Sequence, residues 1–171
     1  MGYAMSIVSN VSPLAPKNFP VMHSISGVRF ATANAGIKSG DSEDATLILL
    51  EPETVIAGLF TSSMTRSAPV IDCQNKIGIN VANTGAAIII NSGNANAFTG
   101  RHGELAVREI IAELSTRVQI PVERIFSSST GVIGELLEYQ KIINVFDYLV
   151  DSLHDSKIEN AARAIMTTDT F

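Results

Sequence analysis

The sequence has few of the residues that build disulfides and metal sites. Its 171 residues include one cysteine, three histidines and no tryptophan. Cys73 has no second cysteine with which to form an internal disulfide, and its spacing from His23, His102 and His154 matches no common metal-binding pattern. We therefore interpret these four residues as structural or surface residues rather than catalytic ones.

Positive charge is also scarce. The chain carries 12 lysines and arginines against 17 aspartates and glutamates, a net charge of -5 at pH 7. The cations are scattered, so we expect no binding to nucleic acid or to anionic lipid. No apolar run approaches the roughly 18 residues of a membrane span, and no basic segment precedes an apolar stretch near the start. The predicted location is the cytoplasm.

Apolar residues make up 46% of the chain, which is enough for a substantial core. The length fits one domain, or a large share of a domain formed by two chains. Pro13, Pro16 and Pro20 predict an irregular arm over residues 1–22, because each proline fixes its backbone dihedral and lacks a donor. The structured domain is expected over residues 23–171.

Short β-prone runs dominate the first half of the chain. They predict strands at Val28–Ala35, Ala45–Leu50 and Val55–Thr61, spaced for antiparallel pairing. Further strands are predicted at Ile77–Val81 and Ala86–Ile90. The last run has no polar residue on either face, so we expect a central strand covered on both sides.

The second half has helical periodicity. A stripe of apolar residues predicts a helix over residues 101–119, and Pro121 stops it. A short strand is expected at Arg124–Phe126, a second helix from about Tyr139, and a third over Ile158–Met166. Strands followed mainly by helices indicate an α+β fold.

Two polar, glycine-bearing loops are predicted to follow apolar strands, at Asn91–Gly100 (NSGNANAFTG) and Ser127–Gly134 (SSSTGVIG). One interpretation is structural: the glycines supply positive backbone dihedrals while Asn and Ser side chains bond loop amides. The other is an anion or oxyanion site built from exposed amides. A phosphate loop fits poorly, because neither loop contains a lysine or a GxxxxGK[ST] pattern.

The pair Thr130-Gly131 is suited to assist one specific kind of reaction. A threonine hydroxyl and the following glycine N–H can donate two hydrogen bonds to the oxygen that becomes negative when a carbonyl is attacked. That chemistry is acyl transfer, which also needs a nucleophile. The histidines and Cys73 supply no convincing one, so a nucleophile from another chain is the remaining option.

These loops, together with Gly58–Thr61, Ala68–Val70 and the ending Ala161–Phe171 (AARAIMTTDTF), closely resemble the N-terminal part of the glutamate N-acetyltransferase family, also called ornithine acetyltransferases, of arginine biosynthesis. The matches occur in the family's order from about Ser26 to Phe171. Phe98 departs from the family, which usually has a small residue or cysteine there.

The resemblance implies an α/β/β/α sandwich similar to N-terminal nucleophile hydrolases, completed by a second chain. Family members cleave themselves before a threonine, which becomes the nucleophile of the β chain, and they commonly form α2β2 assemblies. They move an acetyl group from N2-acetylornithine to glutamate, and some also accept acetyl-CoA. No metal or bound cofactor is expected.

Carried to this chain, the resemblance assigns Thr130 and Gly131 to the oxyanion hole and Thr167 to substrate contact. A structural alternative for Thr167 is a helix-terminal residue that bonds its own backbone. Asn91–Gly100 is expected to shape the site wall and fix the Thr130 turn.

The sequence ends at Phe171, before the family's cleavage motif, so the nucleophile is expected outside these residues. The chain is then an α chain lacking its last residues, a trimmed chain or a fragment. Two rival functions are a self-processing, aminopeptidase-like hydrolase and a non-catalytic binding subunit. An α chain by itself is expected to expose a sheet edge and an apolar face.

Overall fold

A computed structural model describes residues 20–79 and 81–168. Within them lie four strands: β1 Val28–Ala33, β2 Ala45–Leu50, β3 Ala86–Asn94 and β4 Ile125–Val132. The helices are α1 Ala68–Lys76, α2 Gly100–Val118, α3 Tyr139–Asn144, α4 Phe146–Asp151 and α5 Ile158–Ala164, with a short 3-10 turn at Val122–Arg124. The predicted arm lies mostly outside the described residues.

The strands form one mixed sheet in the order β1-β2-β3-β4. The pairs β1/β2 and β2/β3 are antiparallel, whereas β3/β4 is parallel. Parallel neighbours need a crossover connection, and α2 provides it. The α+β fold class predicted from the sequence is confirmed, with one β-α-β crossover inside it.

One face of the sheet packs against α2, α3 and α4 to form the core. The predicted apolar stripe of α2 is confirmed, since its residues Val107, Ile110, Ile111 and Leu114 are buried. The second predicted stripe is also buried at Ile142, Phe146 and Leu149, although its helix is divided between α3 and α4.

The opposite face of the sheet carries α5 at its β1 and β2 side. Side chains alternate along a strand, so Ile48, Ile88 and Ile90 point to this face, away from Leu47 and Ile89 in the core. All three isoleucines are only half-buried. The predicted central strand is therefore flanked by β2 and β4 as expected, but the described residues cover only one of its faces fully.

Both sheet edges have partners. Along β4, the Cys73 thiol of α1 donates to the Ser127 carbonyl at 3.3 Å and Lys76 Nζ donates to the Ile125 carbonyl at 3.1 Å. On β1, the backbones of Phe30 and His154 exchange hydrogen bonds of 2.9 Å. At these positions the edge is covered, because side-chain and backbone donors already occupy the outward carbonyls. The end of β4 is exposed at Gly131 and Val132, so the expected exposed edge is limited to that part of the sheet.

Two predicted strands do not form. Val55–Thr61 and the described residues of Ile77–Val81 have no regular secondary structure. β2 is already paired on both sides, so no edge remains for a third hairpin strand, and Leu59 is fully exposed. Conversely, the prediction missed α1.

The predicted loops are shorter than expected. β3 continues through Asn94 and β4 through Val132, so the first residues of NSGNANAFTG and most of SSSTGVIG are strand. Parallel pairing of Ser92 with Thr130 and Gly93 with Gly131 supplies the backbone partners that make these extensions possible. The positive φ values predicted for Gly93, Gly100, Gly131 and Gly134 are confirmed.

Candidate active site

The ends of β3 and β4 form one wall of an open hollow of about 470 Å³. Its lining residues are Lys38, Gly93, Thr130, Gly131, Val132, Thr167 and Thr168. All three site residues predicted from the sequence, Thr130, Gly131 and Thr167, therefore face the same hollow. Their proposed roles remain predictions.

The Thr130 hydroxyl has a different environment from the hydroxyl of its neighbour Ser129. Ser129 Oγ donates to Asn91 Oδ1 at 2.6 Å and is committed to the fold. Within residues 20–79 and 81–168, no side-chain hydrogen bond engages Thr130, which is half-buried at the hollow. A donor hydroxyl held on a strand beside an open space can reach a ligand atom with little reorganisation.

Gly131 allows the two strand ends to approach closely. Its φ of 133° lies in a region that side chains disfavour. A Cβ at this position would overlap the backbone of Gly93 and lie 2.6 Å from the Asn94 nitrogen. Glycine is therefore required here for steric reasons as well as for its backbone conformation.

The asparagines of NSGNANAFTG form a buried network behind the wall. Asn91 Nδ2 donates to the Asn94 carbonyl at 2.8 Å, and Asn94 Oδ1 accepts from the Asn96 N–H at 2.7 Å. Asn96 in turn bonds the Gly103 carbonyl and the Thr99 hydroxyl at the start of α2. These bonds hold the strand ends against α2, which is a structural role.

Phe98 projects from the same segment in a strained conformation. Its φ is 58° and its side chain is 70% exposed. It lies outside the lining of the Thr130 hollow, in a separate depression with Thr65, Arg66 and Glu104. The structure thus gives this departure from the family pattern no contact with the candidate site.

Thr167 reaches the hollow because the end of α5 is anchored to the sheet. Ser92 Oγ donates to the Ala164 carbonyl at 2.6 Å, and Lys38 Nζ donates to the carbonyls of Ala164 and Met166 at 3.1 and 2.7 Å. The side chain of Ser92 points to the sheet face that carries α5, and its register partner is Thr130. These contacts join two segments that are distant in the sequence.

Lys38 and Gly93 are lining residues that sequence reasoning did not select. Lys38 lies in a loop between Gly36 and Gly40, and nothing in that local pattern indicates a site. Gly93 belongs to the segment NSGNANAFTG, but its position opposite Gly131 depends on strand register. Only the three-dimensional pairing reveals both residues.

Cys73 is poorly suited to act as a nucleophile. Burial raises the pKa of the Cys73 thiol above its ordinary value, the hydrogen bond with Ser127 opposes this, and Asp72 adds to it. The reactive thiolate is therefore disfavoured at neutral pH. No group of three or more His, Cys, Asp or Glu side chains in the described part of the chain could hold a metal ion.

A second hollow, of about 500 Å³, lies at the opposite end of β4 near Arg124 and Phe126. The Arg124 guanidinium there donates to the carbonyls of Thr54 and Gly85. None of the predicted site residues lines it.

Across residues 20–79 and 81–168, no helix has both the length and the apolar character to cross a membrane.

The sheet-and-helix arrangement defines a class of proteins with known structures. The chain superposes on ornithine acetyltransferase of Mycobacterium tuberculosis, complexed with ornithine, with a TM-score of 0.78 and 30% identity over 85% of this chain and 78% of that one. The arginine biosynthesis bifunctional protein argJ of Bacillus halodurans gives 0.74 and 31%, covering 85% of this chain and 75% of that one. The fold is thus the mixed α+β fold of ornithine acetyltransferases.

Sequence comparison gives the family. The ArgJ family model matches residues 29–171, and the chain belongs to the ArgJ family. The arginine biosynthesis bifunctional protein ArgJ of Ruegeria pomeroyi is 48% identical over 98% of this chain and 41% of its own length. The protein of the same name from Bradyrhizobium diazoefficiens is 44% identical over 95% of this chain and 39% of its own length. The chain spans about 40% of the length of these relatives.

Proposed function

We propose that this chain is the α part of an acetyltransferase that moves an acetyl group from N2-acetylornithine to glutamate. Membership of the ArgJ family and the common hollow of Thr130, Gly131 and Thr167 support the proposal. The second chain would carry the nucleophilic threonine, and the two chains would assemble as α2β2 in the cytoplasm. Acetyl-CoA is a further donor to test.

In this mechanism the threonine hydroxyl of the second chain attacks the acetyl carbonyl carbon of N2-acetylornithine. The carbonyl π electrons move to oxygen, and the Thr130 hydroxyl and Gly131 N–H donate hydrogen bonds to that anion. The α-amino group of the same threonine takes the hydroxyl proton, collapse of the intermediate breaks the C–N bond, and the ornithine amine leaves with that proton. The glutamate amine then attacks the acetyl ester carbon and the C–O bond to the threonine breaks. N-acetylglutamate leaves, and the proton lost by the glutamate amine returns to the threonine oxygen.

The sheet face from which a second chain could approach also supports the proposal. Thr130 and Ser128 are two residues apart on β4, so both side chains point to the sheet face that carries α5. Ile48, Ile88 and Ile90 are half-buried on this same face. A second chain that covered these isoleucines would lie beside the hollow. Its N-terminal residue could then reach the Thr130 end of β4.

The test uses the enzyme assembled with its second chain. We expect acetyl transfer from N2-acetylornithine to glutamate, and a Thr130→Ala variant with turnover lowered by on the order of 10²-fold and little change in ornithine affinity, because an oxyanion donor acts mainly in the transition state. A Ser128→Ala variant, an exposed neighbour on the same strand, is the control.

Three results would count against the proposal. Unchanged turnover in Thr130→Ala removes the assigned role of Thr130. Hydrolysis of peptide substrates without acetyl transfer favours the aminopeptidase-like alternative. Intact-mass analysis that finds no second chain beginning with threonine favours a binding subunit.

A further inference from the structure

Lys38 lines the candidate site, yet its ammonium is directed to the protein backbone. Its Nζ donates to the carbonyl of Met166 at 2.7 Å, to that of Ala164 at 3.1 Å and, more weakly, to that of Glu43 at 3.4 Å. An ammonium has three donors, so three carbonyl oxygens match its capacity. The two shorter bonds fix the end of α5 immediately before Thr167.

The loop that carries Lys38 is itself fixed by a buried carboxylate. Asp44 is 0% exposed. Its Oδ2 accepts from the backbone N–H groups of Ile37 at 2.6 Å and Lys38 at 2.8 Å, and its Oδ1 accepts from that of Ala35 at 2.7 Å. A buried carboxylate needs such donors, and here they bind the loop to the start of β2.

A glycine on β3 makes room for the lysine stem. A Cβ at Gly93 would lie 3.0 Å from Lys38 Cγ and 3.2 Å from the Lys38 nitrogen. Gly93 is also the register partner of Gly131. The stem of Lys38 therefore crosses the strand end next to the candidate oxyanion hole before its ammonium reaches α5.

From these contacts we infer that Lys38 is a positioning residue that holds Thr167 in place at the site. The inference rests on the proposed function, in which Thr167 contacts substrate. Lys38 acts through the backbone of residues 164–166 rather than on the reacting atoms. Ser92 is a second anchor at Ala164, whereas the Met166 carbonyl, one residue before Thr167, accepts from Lys38.

The inference predicts a specific kinetic signature. In the enzyme assembled with its second chain, Lys38→Met removes all three donors while retaining an apolar stem. We expect KM for N2-acetylornithine to rise about 10-fold with kcat changed by less than about 3-fold, because substrate binding is lost rather than transition-state stabilisation. Lys38→Arg should recover most of the loss, since a guanidinium can still donate to both carbonyls.

A double-mutant cycle separates positioning from a general effect on the fold. If Lys38 acts through Thr167, the pair Lys38→Met with Thr167→Val should bind N2-acetylornithine no more weakly than Thr167→Val alone. Lys157→Met is the matched control, since Lys157 Nζ also bonds a backbone carbonyl, that of Ser152 at 2.9 Å, away from the hollow. It should leave KM unchanged.

Amide hydrogen exchange gives a readout that needs no catalysis. Peptides spanning residues 161–168 should exchange faster in Lys38→Met than in the wild type, whereas peptides from α2 should not change. If Lys38→Met fails to fold, Lys38→Gln takes its place, because its shorter side chain cannot reach both carbonyls.

Two results would overturn the role of Lys38. One is fully additive effects of Lys38→Met and Thr167→Val on N2-acetylornithine binding. The other is unchanged amide hydrogen exchange over residues 161–168 in Lys38→Met. A wild-type enzyme without acetyl transfer would instead remove the proposed function. In that case the exchange measurement still decides whether Lys38 orders this segment.

Discussion

At the scale of single residues, Gly131 combines two constraints that are usually separate. Its φ is positive, and its missing side chain leaves space for the backbone of β3. Gly40 shares only the first constraint, with a φ of 90° and no atom within 4 Å of the position that a Cβ would occupy. Comparing these two glycines therefore separates steric overlap from dihedral strain.

We predict that Gly131→Ala lowers the free energy of unfolding by about 2–4 kcal/mol, whereas Gly40→Ala costs about 1 kcal/mol. The difference reflects displacement of the Gly93 and Asn94 backbone, which should also abolish the proposed acetyl transfer. Urea denaturation of both variants measures the energies. Equal destabilisation would show that the close approach of the strands is unimportant.

Cys73 gives a second residue-scale prediction. Burial, opposed by the Ser127 hydrogen bond, raises the pKa of its thiol, so the native chain resists deprotonation. Iodoacetamide should alkylate native Cys73 more slowly at pH 8 than the urea-unfolded chain, since the thiolate is the nucleophile. Identical rates in the two states would contradict this environment.

The sign of the linked effect on stability follows from the same shift in the thiol pKa. The folded state holds the thiol proton more tightly than the unfolded state does. The contribution of Cys73 to stability is therefore complete below the unfolded thiol pKa and is lost as pH rises through the higher folded value. Between pH 8 and a pH above 9, the urea midpoint should fall less for Cys73→Ala than for the wild type.

At the scale of elements, the loop between β1 and β2 depends on Asp44. We predict that Asp44→Ala lowers the free energy of unfolding by roughly 2–4 kcal/mol, because three backbone donors lose their acceptor. Asp41→Ala, at an exposed position in the same loop, should cost less than about 0.5 kcal/mol. Urea unfolding of the two variants distinguishes a structural loop from an ordinary surface turn, for which their costs would be alike.

The elements also show what the sequence could predict. The sequence predicts Ala45–Leu50 with its observed bounds, since a mainly apolar run with one β-branched threonine, bounded by acidic residues, is a strong strand signal. The extensions of β3 and β4 were not, because Asn, Ser and Gly have low β propensity and long-range pairing overrides it. The helix α1 was missed, although Ser67 followed by Pro69 in the first turn is a helix-start signal.

The sequence likewise predicts only part of the candidate site. Thr130 and Gly131 were identified by the chemistry of a Thr-Gly pair and by resemblance, both of which are local. Their proximity to Thr167 depends on contacts from Ser92 and Lys38 to the end of α5. Such contacts join distant parts of the chain, and local periodicity does not contain them.

At the scale of the whole molecule, the sheet has unequal faces. One is buried under three helices, while Ile48, Ile88 and Ile90 remain half-buried on the other. We predict that the chain by itself self-associates, because this apolar surface stays in contact with water. Light scattering after size exclusion should give a mass above that of a monomer.

The double variant Ile88→Thr with Ile90→Thr should shift that equilibrium toward monomer. Val122→Thr is the control, since Val122 is 40% exposed but lies near α1 and α2 on the other side of the sheet. A monomeric wild-type chain at micromolar concentration would contradict the prediction. So would a control variant that dissociates as readily as the double variant.

The parallel pairing of β3 with β4 decides when the candidate site can form. Ser92 and Thr130 face each other only after the α2 crossover has brought β4 beside β3, and the pairing of β2 with β3 likewise spans a long connection. During refolding the candidate site should therefore appear together with the complete sheet and not with the local β1–β2 hairpin. A chain in which β4 has not docked would keep Thr130 apart from Ser92 and from the Thr167 segment that Ser92 helps to anchor, and such a chain should show none of the proposed acetyl transfer.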